Sequence, residues 1–149
     1  MLVPIIMGSK VDETHARKIA DYLDEFDIRT ELYVASAHKV PELVLNIVND
    51  FNKSGEDIVY ITIAGRSNGL SGVVAANAIH PVIACPPFKD KDDYTANVNS
   101  STLYPSDTPS MFVADPQNAA HAAIRILALI NDKLRKKIAK RISDIKDSF

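Results

Sequence analysis

Leu2-Val3-Pro4-Ile5-Ile6-Met7-Gly8-Ser9-Lys10-Val11-Asp12 opens the chain with an almost continuous apolar run that stops at Gly8-Ser9. A run of this length, bounded by turn-forming residues, reads as a strand buried on both faces. From Asp12 to Phe26, Ala16, Ile19, Ala20 and Leu23 recur at helical spacing, and Asp12 stands where an N-cap belongs. The unit is therefore strand, tight turn, helix, and it repeats along the chain. Ile28–Val34 alternates apolar and polar residues as a strand, and Pro41 opens a helix carrying Leu43, Val44, Ile47, Val48 and Phe51. Ile58–Ile63 is a second buried run, followed by a short helix over Leu70–Ala78. Val82–Cys85 is a strand stopped by Pro86-Pro87, and Met111–Ala114 is the last. Asp115-Pro116, an N-cap with a proline at N1, starts an Ala-rich helix reaching about Asn131.

Strands alternating with helices over short loops imply an α/β fold: a parallel sheet with helices on both faces. Ligands of such sheets bind outside the carboxyl ends of the strands. Gly8–Asp12, Ser36–Lys39 and Ala64–Gly72 all occupy such positions, so their polar groups are expected to converge on one edge. Lys89–Ser110 is long, polar and without periodicity, and is expected to be a lid or interface loop.

At 149 residues, 46% hydrophobic and 24% charged, the chain is sized for one globular domain. A net charge of -2 supplies no overall drive toward nucleic acid or anionic lipid. No apolar run reaches the roughly 20 residues of a membrane span, and Met1–Met7 lacks the features of a signal peptide. The expectation is a cytoplasmic protein with no nucleic-acid or membrane partner. The domain is expected to occupy 1–131, with a separate basic helix over 132–149. In that helix Leu134, Ile138 and Ile142 form a narrow apolar stripe that packs either on a neighbouring subunit or on its own domain.

Three segments carry candidate chemistry. In Gly8-Ser9-Lys10-Val11-Asp12, backbone N–H groups at a helix start suit a phosphate, although the P-loop spacing is absent and a plain turn capped by Asp12 accounts for it equally. Ser36-Ala37-His38-Lys39 places a hydroxyl, an imidazole and an ammonium within four residues, a set that binds an anion and moves a proton beside it. Of the four histidines only His38 stands on a strand-end loop; His15, His80 and His121 read as structural, and no metal-ligand spacing occurs. Ala64-Gly65-Arg66-Ser67-Asn68-Gly69-Leu70-Ser71-Gly72 is a glycine-punctuated loop whose amides can form an anion nest, with Arg66 able to serve a carboxylate or phosphate. Cys85 reads as a buried, inert thiol.

In order along the chain, Met7-Gly8-Ser9 with Asp12, Ser36-Ala37-His38-Lys39 with Pro41, Ala64–Leu70, Cys85-Pro86-Pro87 and Asn118-Ala119-Ala120 resemble the phosphoribosylaminoimidazole carboxylase family. The resemblance implies a flavodoxin-like three-layer αβα sandwich, a homo-octamer with sites shared between subunits, and no cofactor or metal. It further implies that Gly8, Ser9, Asp12, Ser36, Lys39 and Arg66 bind aminoimidazole ribonucleotide, with Asp12 on the ribose hydroxyls. His38 would carry the proton, and Ser67, Asn68 and Gly69 would hold CO2, largely through backbone amides. One branch of the family isomerises N5-carboxyaminoimidazole ribonucleotide and carries a second histidine in a GGAAHLPG loop. The other carboxylates with CO2 directly, and the Arg66–Gly69 loop, which has no histidine, resembles that branch. Four residues depart from the pattern: Val11 for a serine, Asn97 for an aspartate, Leu103 for an arginine and Asp107 for a glycine.

Overall fold

The computed structural model describes residues 1–149. Five parallel strands run β1 (Leu2–Met7), β2 (Arg29–Val34), β3 (Tyr60–Ile63), β4 (Val82–Ala84) and β5 (Met111–Phe112). Six helices accompany them: α1 (Glu13–Asp24), α2 (Pro41–Asn52), α3 (Gly69–Asn77), α4 (Lys91–Ser100), α5 (Pro116–Leu127) and α6 (Asp132–Lys146). The sheet order is β2-β1-β3-β4-β5, the flavodoxin-like arrangement, in which chain direction across the sheet reverses between β1 and β3.

Alternate residues of each strand feed two cores. Val3, Ile5, Met7, Ile61, Ile63 and Ile83 face α1 and α5, meeting Ile19, Leu23, Ala120 and Ile124. Leu2, Ile6, Tyr60 and Val82 face α2 and α3, meeting Val44, Val48, Leu70 and Val74. Burial on both faces explains why β1 reads as a continuous apolar run rather than an alternating one. Pro4 is tolerated in this inner strand because the β1–β3 ladder is interrupted there. Leu2 bridges Ile58 alone, and regular pairing with β3 begins at Ile5. No helix is long and apolar enough to cross a membrane.

One sequence expectation changes here, and one open alternative is narrowed. The segment Lys89–Ser110 is not all loop: α4 lies inside it, capped by the Asp90 carboxylate accepting from the Asp93 N–H at 2.9 Å. Helical periodicity was hidden because its inward residues are polar, Asn97 and Ser101, rather than aliphatic. Of the two packings left open for the tail, its first half takes the one on its own domain. Leu134 is buried and Ile138 packs against the α1–α5 core, while Lys137 and Arg141 bond Asp27 and Glu25 at 3.0 Å each and flank the Phe26 ring. The first half of α6 thus completes its own subunit's core. Ile142 and Ile145 stay exposed along its second half.

A chain ending at Asn131 should therefore lose stability, not merely a subunit contact. Removing Leu134 alone takes away a buried side chain of the kind worth about 2–5 kcal/mol. The expected result is a melting temperature lower by several degrees, or insoluble protein. An unchanged melting curve for the truncated chain would show that α6 contributes nothing to this core.

Candidate active site

The ends of β1, β2 and β3 are tied together at their carboxyl edge. The Gly8 N–H donates to the Ile63 carbonyl and the Ala35 N–H to the Met7 carbonyl, each at 2.9 Å. The three loops that follow, Gly8–Asp12, Ser36–Lys39 and Ala64–Asn68, therefore stand side by side at the point where the sheet order reverses. This convergence was the sequence expectation, and the sheet order accounts for it.

Ser9 and Asp12 open a cavity of about 1050 Å3, also lined by His15, Arg66, Phe88 and Asn97. Asp12 occupies the N-cap position of α1 but makes no cap hydrogen bond. Capping falls instead to Ser9, whose Oγ accepts from the Val11 N–H at 3.5 Å and closes the 3-10 turn Lys10–Asp12. The loop is thus a capped turn, with Ser9 as the cap and the Asp12 carboxyl left without that role. Partial burial pushes the Asp12 carboxyl above the usual carboxylate range. Val11, which departs from the family pattern, is fully exposed at the cavity rim and touches no part of the core.

A carboxyl group raised in this way favours its neutral form in the folded state, so its contribution to stability falls as pH rises through the raised pKa. Asp12→Asn should accordingly raise the melting temperature at neutral pH, with a smaller gain in acid, where Asp12 is already protonated. If Asp12 holds ribose hydroxyls, the same change should weaken ribonucleotide binding on the order of tenfold, the worth of a hydrogen bond to a charged group. Thermal melts across pH and calorimetric titration check the two halves; a variant that is less stable at pH 7 than at pH 4 relative to wild type contradicts the first.

Ser36, His38 and Lys39 are not among the residues that line that cavity, and His38 lies against Gly69. The Ser36 carbonyl accepts from the N–H groups of Lys39 and Val40, forming a turn that ends at Pro41. Ser36 is half-buried, whereas His38 and Lys39 are exposed. The His38 ring rests on Gly69: a methyl group at Gly69 would stand 2.9 Å from Nε2 and 3.0 Å from Cε1. His38 thus meets the Arg66–Gly69 loop where the two segments were expected to converge.

Within that loop the side chains divide. Arg66 and Ser67 are exposed. Asn68 is buried, its Oδ1 accepting from the Ser71 N–H (3.1 Å) and Oγ (3.0 Å) as the N-cap of α3. Its Nδ2 donates to Ser101 Oγ at 2.8 Å. The Asn68 side chain is therefore committed to the fold, leaving only its backbone for a ligand. Tyr104 lies over Gly72, with its hydroxyl 3.4 Å from Asn68 Nδ2, and so roofs the same cluster. Tyr104 escaped notice in the sequence, and Asn97 was marked there only as a departure from the family pattern. The available signal was the polar set Asn97, Ser100, Ser101 at helical spacing.

His15 also belongs at the site edge rather than purely in the core. Its Nε2 lies 3.5 Å from Cys85 Sγ, and its imidazole is pushed down, chiefly by burial. Cys85 is buried with its thiol pushed up to about 12, mostly by burial, which keeps it in the unreactive thiol form. No three His, Cys, Asp or Glu side chains stand together as a metal-ligand set.

The AIR carboxylase family model matches residues 2–148. The chain belongs to the AIR carboxylase family. Phosphoribosylaminoimidazole carboxylase of Archaeoglobus fulgidus is 46% identical over 140 residues, covering 94% of this chain and 76% of that protein. The Treponema denticola phosphoribosylaminoimidazole carboxylase is 39% identical over 137 residues, covering 92% and 86% respectively. The human bifunctional phosphoribosylaminoimidazole carboxylase/phosphoribosylaminoimidazole succinocarboxamide synthetase is 37% identical over 140 residues, 94% of this chain but only 33% of that protein. Among solved structures, Treponema denticola PurE superposes with a TM-score of 0.92 at 36% identity, covering 99% of this chain and 92% of that one. The chain is thus an enzyme of the AIR carboxylase family, which serves purine biosynthesis, and its fold is that of PurE.

Proposed function

We propose that this enzyme carboxylates 5-aminoimidazole ribonucleotide directly with CO2, giving 4-carboxy-5-aminoimidazole ribonucleotide. The observation that carries the reading is Gly69 beneath the His38 ring, in a loop of Arg66, Ser67, Asn68 and Gly69 that brings no second histidine to the site. Ser9, Asp12, Ser36 and Lys39 hold the ribose phosphate, Asp12 on the hydroxyls; Gly8 lets the chain turn beside it and Arg66 faces the anion.

The aminoimidazole ring is enamine-like, so its carbon 4 is the nucleophile. It attacks the CO2 carbon, a C–C bond forms, and one C=O electron pair moves to oxygen as a carboxylate. The amides of Ser67 and Asn68 stabilise that charge as it develops, while Gly69, whose N–H donates to the Ser67 carbonyl at 3.0 Å, lets CO2 approach the backbone. Carbon 4 then carries both hydrogen and carboxylate. His38 removes the proton as general base, the C–H electrons restore the aromatic ring, and solvent receives the proton. The scheme uses neither biotin, ATP nor metal. The exposed apolar residues Ile142 and Ile145 of α6 fit an octamer whose subunits meet there, in the cytoplasm.

A second reading, the N5-carboxyaminoimidazole ribonucleotide mutase of the same family, draws on the PurE name of the solved structures. The mutase must handle a carbamate nitrogen, which in that branch falls to the loop histidine absent here. Parallel assays of both substrates with released CO2 trapped separate the two. The carboxylase should form product from aminoimidazole ribonucleotide at a rate that rises with dissolved CO2, with carbonic anhydrase removing any lag when bicarbonate alone is supplied. Efficient turnover of the carbamate in the presence of the trap would assign the mutase instead.

A further inference from the structure

Arg66 has a φ of 59°, in the left-handed region that a long side chain rarely adopts, and it is the first residue of the proposed CO2 loop. Both of its peptide groups are held from α4. Its N–H donates to Asn97 Oδ1, and its carbonyl accepts from Ser100 Oγ. Asn97 is buried to 1% exposure, and its other end donates from Nδ2 to the Pro87 carbonyl at 2.6 Å. One carboxamide therefore bridges the loop after β3 and the loop after β4, with an acceptor for the first and a donor for the second. Gly65 lies against the same amide, 3.4 Å from Nδ2 to where its Cβ would be.

We infer that Asn97 is a positioning residue for CO2: its Oδ1 holds Arg66 in the left-handed conformation and so fixes where the Ser67 and Asn68 amides stand. Asn97 also lines the cavity that Ser9 and Asp12 open, so its loss should fall hardest on CO2 and more lightly on the ribonucleotide. The inference rests on the direct-carboxylation reading for its kinetic effect, but not for its effect on the loop.

The two parts are measured separately. Loss of the buried acceptor in Asn97→Ala should raise the KM for CO2 and lower kcat, together on the order of 10- to 100-fold in kcat/KM. The dissociation constant for aminoimidazole ribonucleotide, whose cavity Asn97 also lines, should rise by a clearly smaller factor, a split that general loss of structure would not give. Asn97→Asp keeps an acceptor for Arg66 but loses the donor to Pro87, and should recover most of the lost CO2 dependence. Amide exchange at Arg66, followed by NMR, should accelerate about tenfold or more in Asn97→Ala and less in Asn97→Asp. Ser100→Ala, which frees the Arg66 carbonyl in the following peptide unit at a less buried position, should show the same pattern more weakly and serves if Asn97→Ala does not fold. Wild-type CO2 dependence in the Ala variant, equal losses for both substrates, or an Asp variant as poor as Ala would each overturn the inference. A wild-type enzyme without CO2-dependent turnover would overturn the carboxylase reading; unchanged Arg66 exchange would overturn the clamp.

Discussion

His38→Asn should reduce carboxylation by about 10²–10⁴-fold, the usual worth of a positioned general acid or base. The side chain is exposed and rests against Gly69, so the fold should not register the change. Surface substitutions away from cores and caps stay within about 0.5 kcal/mol. Ribonucleotide affinity should also hold, because the phosphate and ribose contacts lie with Ser9, Asp12, Ser36 and Lys39. The check is steady-state turnover beside a melting curve and a binding titration on the same preparation. Near wild-type turnover would remove His38 from the chemistry; lost binding would make it a substrate contact.

Gly69→Ala should act on the same imidazole from the opposite side. A Cβ there would sit 2.9 Å from His38 Nε2, closer than real Cβ contacts, and the exposed histidine is what must yield. Gly69 is the first residue of α3 and lies outside the left-handed region, so alanine suits its backbone. Helix propensity favours alanine by roughly 0.5–1 kcal/mol in a helix interior, less at its first turn. The variant should thus fold as well as wild type while turnover falls by about 10²-fold, the cost of a displacement near 1 Å at a reacting group. Turnover preserved alongside a folded variant would mean that His38 has room to spare and that Gly69 does not set its place.

The architecture was legible because β1 is apolar throughout and β3 is apolar but for Thr62, and each is followed by helical spacing, the pattern of a doubly covered parallel sheet. Gly8–Asp12, Ser36–Lys39 and Ala64–Gly72 were legible as site segments from their place after strands. What sequence did not disclose was the use of each side chain. Asp12 and Ser9 exchange the capping role one would assign them, because an added 3-10 turn moves the cap back three residues. Asn68 looks like a ligand group and serves as a cap. Helix α4 was invisible because its buried face is built from Asn97 and Ser101, for which no hydropathy period exists. Half of α6 packs at home for a reason equally remote in sequence: Phe26, Asp27 and Glu25, its partners, end a helix more than a hundred residues earlier.

The pairing of α1 with α5 bears on the order of events as the chain emerges and folds. Ala16, Ile19 and Leu23 find their lasting cover in Ala120, Ala123 and Ile124, about a hundred residues downstream. Contacts of such separation close late, since the loop entropy must be overcome before they form. Strands β1, β2 and β3 can therefore pair by about residue 70, while α1 alone covers one face of the sheet and the Arg66–Gly69 loop still lacks its partners Asn97, Ser100 and Ser101. During that interval the partly covered apolar face is the part of the molecule most exposed to aggregation.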